Sequence, residues 1–336
     1  MADRHPTSRR NAGFTVTELI VVVAIIALIV GLIIPTTAKV RAKSRTLRCL
    51  ANQRQLTQAN YSYATSNGGR WTSPRTDSGG TLWRDGANDY GPGGSQSNPK
   101  ATPHCWVAAQ FPNVAGSYEK PAALEQGTLW PYIGTIQAYI SPDEPTNTLG
   151  QVNSNEFTRI RSYSFNACLG VTRPDEVTNY DGAFINPLAG DIENAGMTMP
   201  LSAYNTTTIA TVKQPARMMS TLVEDDNIAW NNEGWIINPQ PAQRLWVDLP
   251  AQWRPDAITL SYVDGSTDSH EMANPDTVAV NNGAPYPANF TVYGPGPHNV
   301  RAPDDAAQSD SDWKWFRDRL NPGVLPQITN MPMYSE

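Results

Sequence analysis

The chain opens polar, becomes apolar without interruption, and then settles into a sparse periodic seam. Residues 1–13 (MADRHPTSRRNAG) carry Arg4, Arg9 and Arg10 and no apolar run. From Phe14 to Ile34 the sequence reads FTVTELIVVVAIIALIVGLII. A helix of that length, at about 1.5 Å per residue, covers ~31 Å, the depth of a bilayer core. The run exceeds the roughly 7–15 residues of a secretory h-region, and no A-x-A-like cleavage site follows it. Past Pro35, Ala42, Cys49, Leu56 and Tyr63 recur at sevens, with Ala59 between the last two. The seam predicts that the helix continues to about Ser66, where Asn67-Gly68-Gly69 stops it. Gln, Arg and Asn fill the other faces, so the seam is expected to pack on a sheet of the same chain.

Beyond the helix the pattern shortens. Residues 71–120 are turn-rich and read as long surface loops. Strand-like stretches follow at Ile133–Ile140, Arg161–Leu169, Met218–Val223, Trp235–Ile237, Arg244–Val247 and Ala257–Val263. The last alternates Ile258, Leu260 and Tyr262 before Asp264-Gly265, a hairpin signal. No βαβ alternation is visible, which predicts an antiparallel sheet.

Composition adds limits. The 336 residues include 28 Pro, 24 Gly and 10 Trp, and only 17% are charged. That mix suits an extracytoplasmic domain of short strands and structured loops. Lys and Arg number 25 against 31 Asp and Glu, a net charge of −6, which argues against a nucleic-acid binder with a basic face. Cys49, Cys105 and Cys168 form no CxxC pair, so zinc is a poor reading. One disulfide among them is open, with one thiol left over, and spacing does not choose the pair.

Glu18 is the anomaly inside the apolar run. A carboxylate at the centre of a membrane helix costs about 2.5–3.5 kcal/mol, and less toward its end. It either reaches the headgroups or meets a cation inside an assembly. Gly13-Phe14-Thr15-Val16-Thr17-Glu18 resembles the processing site of type IV prepilins and of the pseudopilins of type II secretion. The resemblance implies a cut between Gly13 and Phe14 by a prepilin peptidase, followed by N-methylation of Phe14. Glu18 then becomes the fifth mature residue, the acidic position of those families, and Pro35 the twenty-second, where their helices carry a loosening proline. Glu18 is expected to supply the counter-charge to the Phe14 amine of a neighbouring subunit and to set the axial register of stacked helices. Pro35 removes one helical hydrogen bond and permits a kink. Lys39, Arg41, Lys43, Arg45 and Arg48 follow the span, and a plain positive-inside count would place that end in the cytoplasm. The leader and processing site require the opposite orientation, leaving the basic run as a solvated or subunit-facing surface.

A second resemblance covers most of residues 14–271. CLANQRQL, YISPDE, SYSFN and a C-terminal Asp-Gly segment are similar to a large family of prepilin-type bacterial proteins. Two positions depart from it. Ser141 stands where that family has Cys, which implies that Cys49 lacks its common partner. Arg254 stands where a His, nine residues before Asp264-Gly265, would be, so the motif is read here as a structural hairpin.

These observations predict an α+β, pilin-like fold: a long N-terminal helix, membrane-spanning in its first half, packed on an antiparallel β-sheet head with long loops. The expected organisation is a cytoplasmic leader (1–13), a transmembrane and assembly helix (14–35), its continuation (36–66), and an extracytoplasmic head (67–336). The expected setting is the bacterial inner membrane, crossed once, with the cell surface open after assembly. Partners are the prepilin peptidase and methylase, other pilin-like subunits and an inner-membrane assembly platform. His270-Glu271 lacks the second His of HExxH, and no G-x-S-x-G or phosphate loop occurs, so no catalytic residue or cofactor is assigned. His104 beside Cys105 is not read as a catalytic pair. Asp304, Asp305, Asp310 and Asp312 are weak calcium candidates without EF-hand spacing, as is Glu224-Asp225-Asp226. Trp71, Trp83, Trp106, Trp313 and Trp315 are expected mainly to supply buried apolar area. Exposed rings would favour the alternative reading, a membrane-anchored carbohydrate-binding module; a hydrolase has no support in the spacing.

Overall fold

The computed structural model describes residues 15–76, 105–107, 124–125, 127–144, 148–152, 155–158, 161–170, 206–224, 234–235, 237, 245–246, 250–253, 257–273, 291–292, 300–301 and 309–325. It divides into two compact units, Met1–Leu47 and Arg48–Glu336.

The first unit contains the start of helix α1 (Val16–Ser66), which is continuous through Pro35. Pro35 has no N–H, so the carbonyl of Gly31, four residues earlier, lacks its helical donor. The large apolar side chains from Val16 to Val30 are 46–74% exposed in the chain by itself. A contiguous apolar surface of that extent needs a lipid or protein neighbour.

In the second unit, the rest of α1 buries Cys49, Gln53, Leu56, Asn60 and Tyr63, with Thr57, Ala59 and Ala64 beside them. Steps of three and four keep these residues on one face. The helix ends where expected. Gly68 and Gly69 take φ of +66° and +83°, a region open to glycine, and Gly69 N–H donates to the Ala64 carbonyl at 2.8 Å.

The remaining elements, in chain order, are β1 (Ser73–Thr76), β2 (Cys105–Val107), the short helix α2 (Trp130–Ile133), β3 (Thr148–Val152), β4 (Asn155–Thr158), β5 (Tyr163–Phe165), β6 (Met219–Val223), β7 (Leu245–Trp246), β8 (Ile258–Tyr262), β9 (Thr267–His270), β10 (Thr291–Val292), β11 (Val300–Arg301) and helix α3 (Ser309–Leu320). The central sheet has the order β5-β6-β8-β9 and is antiparallel throughout. Smaller sheets pair β3 with β4 and run β10-β11-β7.

The central sheet is covered on both faces. Toward α1 it presents small hydroxyls. Gln53 Nε2 donates to the Thr259 carbonyl at 2.9 Å, and Thr57 Oγ1 meets Ser220 and Ser261 at 2.9 and 2.8 Å. Short side chains let the helix approach closely, and their hydrogen bonds offset the desolvation of burying them. The opposite face, carrying Ile258 and Leu260 by strand alternation, packs under α3, which buries Trp313, Phe316 and Leu320.

Several expectations change. Ile133–Ile140 is not a strand: α2 ends at Ile133 and a 3₁₀ turn spans Ile136–Tyr139. Pro131 opens the short helix, and Gly134 at φ +63° closes it by donating to the Trp130 carbonyl at 2.9 Å. Of Trp235–Ile237, the described residues contribute a bridge from Trp235 to Asn166 and no strand. The 71–120 stretch is not all surface loop. β1 and β2 pair in parallel, and Trp71, Trp106 and Val107 are buried. Strand β8 is buried at all five positions, not on one face, because α1 covers its Thr259 and Ser261 side. The Asp264-Gly265 hairpin forms as expected, with Asp264 Oδ1 accepting from the Ser266 N–H at 2.9 Å and its hydroxyl at 2.6 Å.

Candidate processing and assembly site

Helix α1 begins with a reciprocal lock. Glu18 N–H donates to Thr15 Oγ1 at 3.2 Å, while Glu18 Oε2 accepts from both the Thr15 N–H and the Thr15 hydroxyl at 2.8 Å. This is a capping box, in which two helix-end donors are satisfied by side chains. The carboxylate lies at the positive end of the helix dipole, a favourable place for it. It is exposed in the chain by itself and is held against the backbone of the residue next to Phe14. Gly13 and Phe14 themselves lie outside the described residues.

Among the described residues, no helix is long and apolar enough to cross a membrane. Val16–Gly31, the fully described part of the apolar stretch, is shorter than the ~20 residues a span takes. The apolar run in the sequence goes on to Ile34.

Residues 8–34 match the family model of the prokaryotic N-terminal methylation motif. That match makes the N-terminal segment consistent with a type IV prepilin-like protein. No curated protein and no solved structure matches the chain. The matched segment contains Gly13, Phe14, Thr15 and Glu18, and ends just before Pro35. A motif of this kind points to processing by a methylating prepilin peptidase and to membrane anchoring.

The head of this prepilin-like chain holds no group of three or more His, Cys, Asp or Glu suited to a metal ion among the described residues. Of the calcium candidates, Asp312 is fully buried, and its Oδ1 accepts from Ala273 N–H at 3.0 Å and lies 2.9 Å from His270 Nε2. Asp310 falls within α3, its side chain not described, and Asp304 and Asp305 lie outside the described residues, as do Asp225, Asp226, His104, Trp83 and Arg254. Glu224 is buried beside the end of β6. The His270–Asp312 pair was not legible in the spacing, since 42 residues separate the two. The capping box was: Thr15-Val16-Thr17-Glu18 has the S/T-x-x-E form.

Cys49 and Cys168 are free and buried, and the side chain of Cys105 is not described. Cys49 Sγ sits 3.5 Å from Ser141 Oγ and 2.9 Å from Thr259 Oγ1. Ser141 therefore occupies the place from which a partner cysteine would reach Cys49. Burial pushes the Cys49 thiol up despite its hydrogen bonds to Thr259, Tyr163 and Ser141, and pushes Cys168 up to about 12. Neither is a nucleophile at neutral pH.

Among the described residues, four tryptophans are core residues. Trp106, Trp235 and Trp313 are 0–1% exposed, and Trp71 is 5% exposed. Burying each removes ~150–250 Å² from water, about 4–6 kcal/mol gross at ~25 cal/mol per Å². Such rings build a core where regular strands are short. Trp313 cannot stack on a sugar from this position. Trp315, half-buried, is sandwiched between the His270 ring at 3.9 Å and the Arg319 guanidinium at 3.6 Å.

Proposed function

We propose that the chain is a structural subunit of a pilin-like filament, in a type IV pilus or a type II secretion-type machine, and not an enzyme. The peptidase cuts between Gly13 and Phe14 and methylates the new Phe14 amine. The apolar half of α1 anchors the precursor in the inner membrane, with residues 1–13 cytoplasmic and the head outside. An assembly platform then lifts the subunit into a filament whose dry core is built from the residues around Leu19–Ile34. Pro35 is where the helix can loosen during that transfer. Glu18 answers the Phe14 amine of a neighbour, exchanging its Thr15 contacts for an intersubunit ion pair.

The observation that carries this reading is the methylation-motif match over residues 8–34 on a helix whose apolar side chains are uncovered. A peptidase that grips the backbone at Gly13 needs a residue without a side chain there. Gly13→Val is therefore expected to leave the full-length precursor in membranes at all times, seen as slower gel migration than wild type. A Gly13→Val chain that matures normally in cells with the peptidase would refute the assigned cut.

A further inference from the structure

One strongly charged surface has no part in processing or in the packing of the head. Lys39, Arg41, Lys43 and Arg45 follow the apolar run on the same continuous helix α1, and all four are exposed. They begin five residues past Ile34 and end eleven past it. At about 1.5 Å per residue they occupy ~7–17 Å of helix beyond the apolar stretch.

Their spacing makes a collar. Residues four apart lie one above the other on a helix, so Lys39 stands over Lys43 on one side and Arg41 over Arg45 on the opposite side. Like charges at this spacing destabilise a helix unless an anion answers them. No carboxylate of the helix beyond its first turn can do so, because the sequence has no Asp or Glu between Glu18 and Asp77. The counter-charge has to come from outside the helix.

Position says what supplies it. The polar layer of a bilayer adds about 5–7 Å beyond each side of the hydrocarbon core, and the field of its anionic lipids fades over a Debye length of ~8–10 Å. With Phe14–Ile34 filling the core, the four cations stand at the lipid phosphates and just outside them. Their long stems can bend back to the headgroups. An acidic protein face could also meet a basic surface, but nothing forces it to be there, whereas the apolar run forces the headgroups to be.

We propose that this collar binds the phosphates of anionic phospholipids at the head's end of the span. Arg41 and Arg45 offer planar forks that can donate to two phosphate oxygens at once, and Lys39 and Lys43 act as compact charges. The contact rests on the membrane-anchored precursor proposed above, and not on its orientation, since both leaflets present phosphates.

The test uses the full-length precursor, extracted in a zwitterionic detergent and exchanged into micelles doped with equal amounts of phosphatidylglycerol and phosphatidylcholine. Lipid that stays with the chain through a lipid-free wash is counted by mass spectrometry. Phosphatidylglycerol is expected to be retained over phosphatidylcholine by about fivefold or more, falling below about twofold at high salt. Lys39→Gln, Arg41→Gln, Lys43→Gln and Arg45→Gln together are expected to remove the preference. Arg54→Gln with Arg70→Gln, at exposed cations further from the span, should leave it unchanged. Carbonate washing of membranes separates the anchor from the collar. A precursor that stays in the membrane but retains both lipids equally overturns the collar alone, and one that carbonate releases overturns the anchor and the collar with it. A fourfold Gln variant that keeps the wild-type lipid preference also overturns the collar, and a loss of filament yield in that variant would assign the surface to a neighbouring subunit.

Discussion

Glu18→Gln is expected to abolish incorporation into filaments while leaving the chain in the membrane fraction. Glutamine keeps the acceptor that the capping box needs, so the start of α1 is preserved. What it removes is the charge. In a dry filament core, deleting one partner of a buried ion pair leaves the Phe14 ammonium uncompensated, at about 3–5 kcal/mol per contact. That corresponds to a loss of at least ~10² in association at each step. Insertion is not impaired, because an amide near the end of the span is no costlier there than a carboxylate. Thr15→Val separates the two roles: it removes the capping hydroxyl, costs about 1 kcal/mol in helix stability, and leaves the charge in place. Sheared-filament yield should therefore fall severely for Glu18→Gln and only mildly for Thr15→Val. Wild-type yield from Glu18→Gln would remove the counter-charge from the account.

The largest stability effect is expected at Asp312. Its Oδ1 joins the first turn of α3 to His270 on β9 and to Ala273 N–H. Asp312→Ala leaves a nearly buried imidazole and a backbone donor without their acceptor, and removes a negative charge from the helix N-terminus. The expected loss is about 2–4 kcal/mol, read as a lower urea midpoint of head unfolding. Lys314→Ala provides the contrast. It breaks an i,i+4 pair with Asp318 at 2.9 Å that is partly solvated, and should cost no more than about 0.5 kcal/mol. Equal midpoints for the two variants would mean that α3 is not held through Asp312.

The parts of the fold that were legible in the sequence are those where burial follows hydrophobicity. Of the seam, Cys49, Leu56, Ala59 and Tyr63 are buried while Ala42 is only half-buried; the helix stops at Asn67-Gly68-Gly69, and Asp264-Gly265 turns a hairpin. Gln53 and Asn60 fall among the polar residues assigned to the other faces of α1, yet they are buried together with Thr57: strand hydroxyls and a strand carbonyl meet Gln53 and Thr57, and Asn60 Oδ1 accepts from the Thr72 N–H at 3.1 Å. Helix α3 was hidden by its composition. SDSDWKWFRDRL looks like a surface segment, but Trp313, Phe316 and Leu320 recur at three and four and form its buried stripe. At Ile133–Ile140 the apolar run suggested a strand, and the Pro131 and Gly134 that bound α2 were the overlooked signals. In the proposed processing site, Gly13, Phe14 and Glu18 came from the resemblance. Thr15 was not singled out, although its hydroxyl is what holds Glu18 in the single chain.

The proposed function turns on maturation of the prepilin-like N-terminus between Gly13 and Phe14. Mass spectrometry of the N-terminal peptide, from protein isolated out of cells that contain the peptidase, tests it directly. The expected peptide begins at Phe14 and is one methyl group heavier than its sequence. A peptide that retains Met1 or any other residue of the 1–13 leader would contradict it.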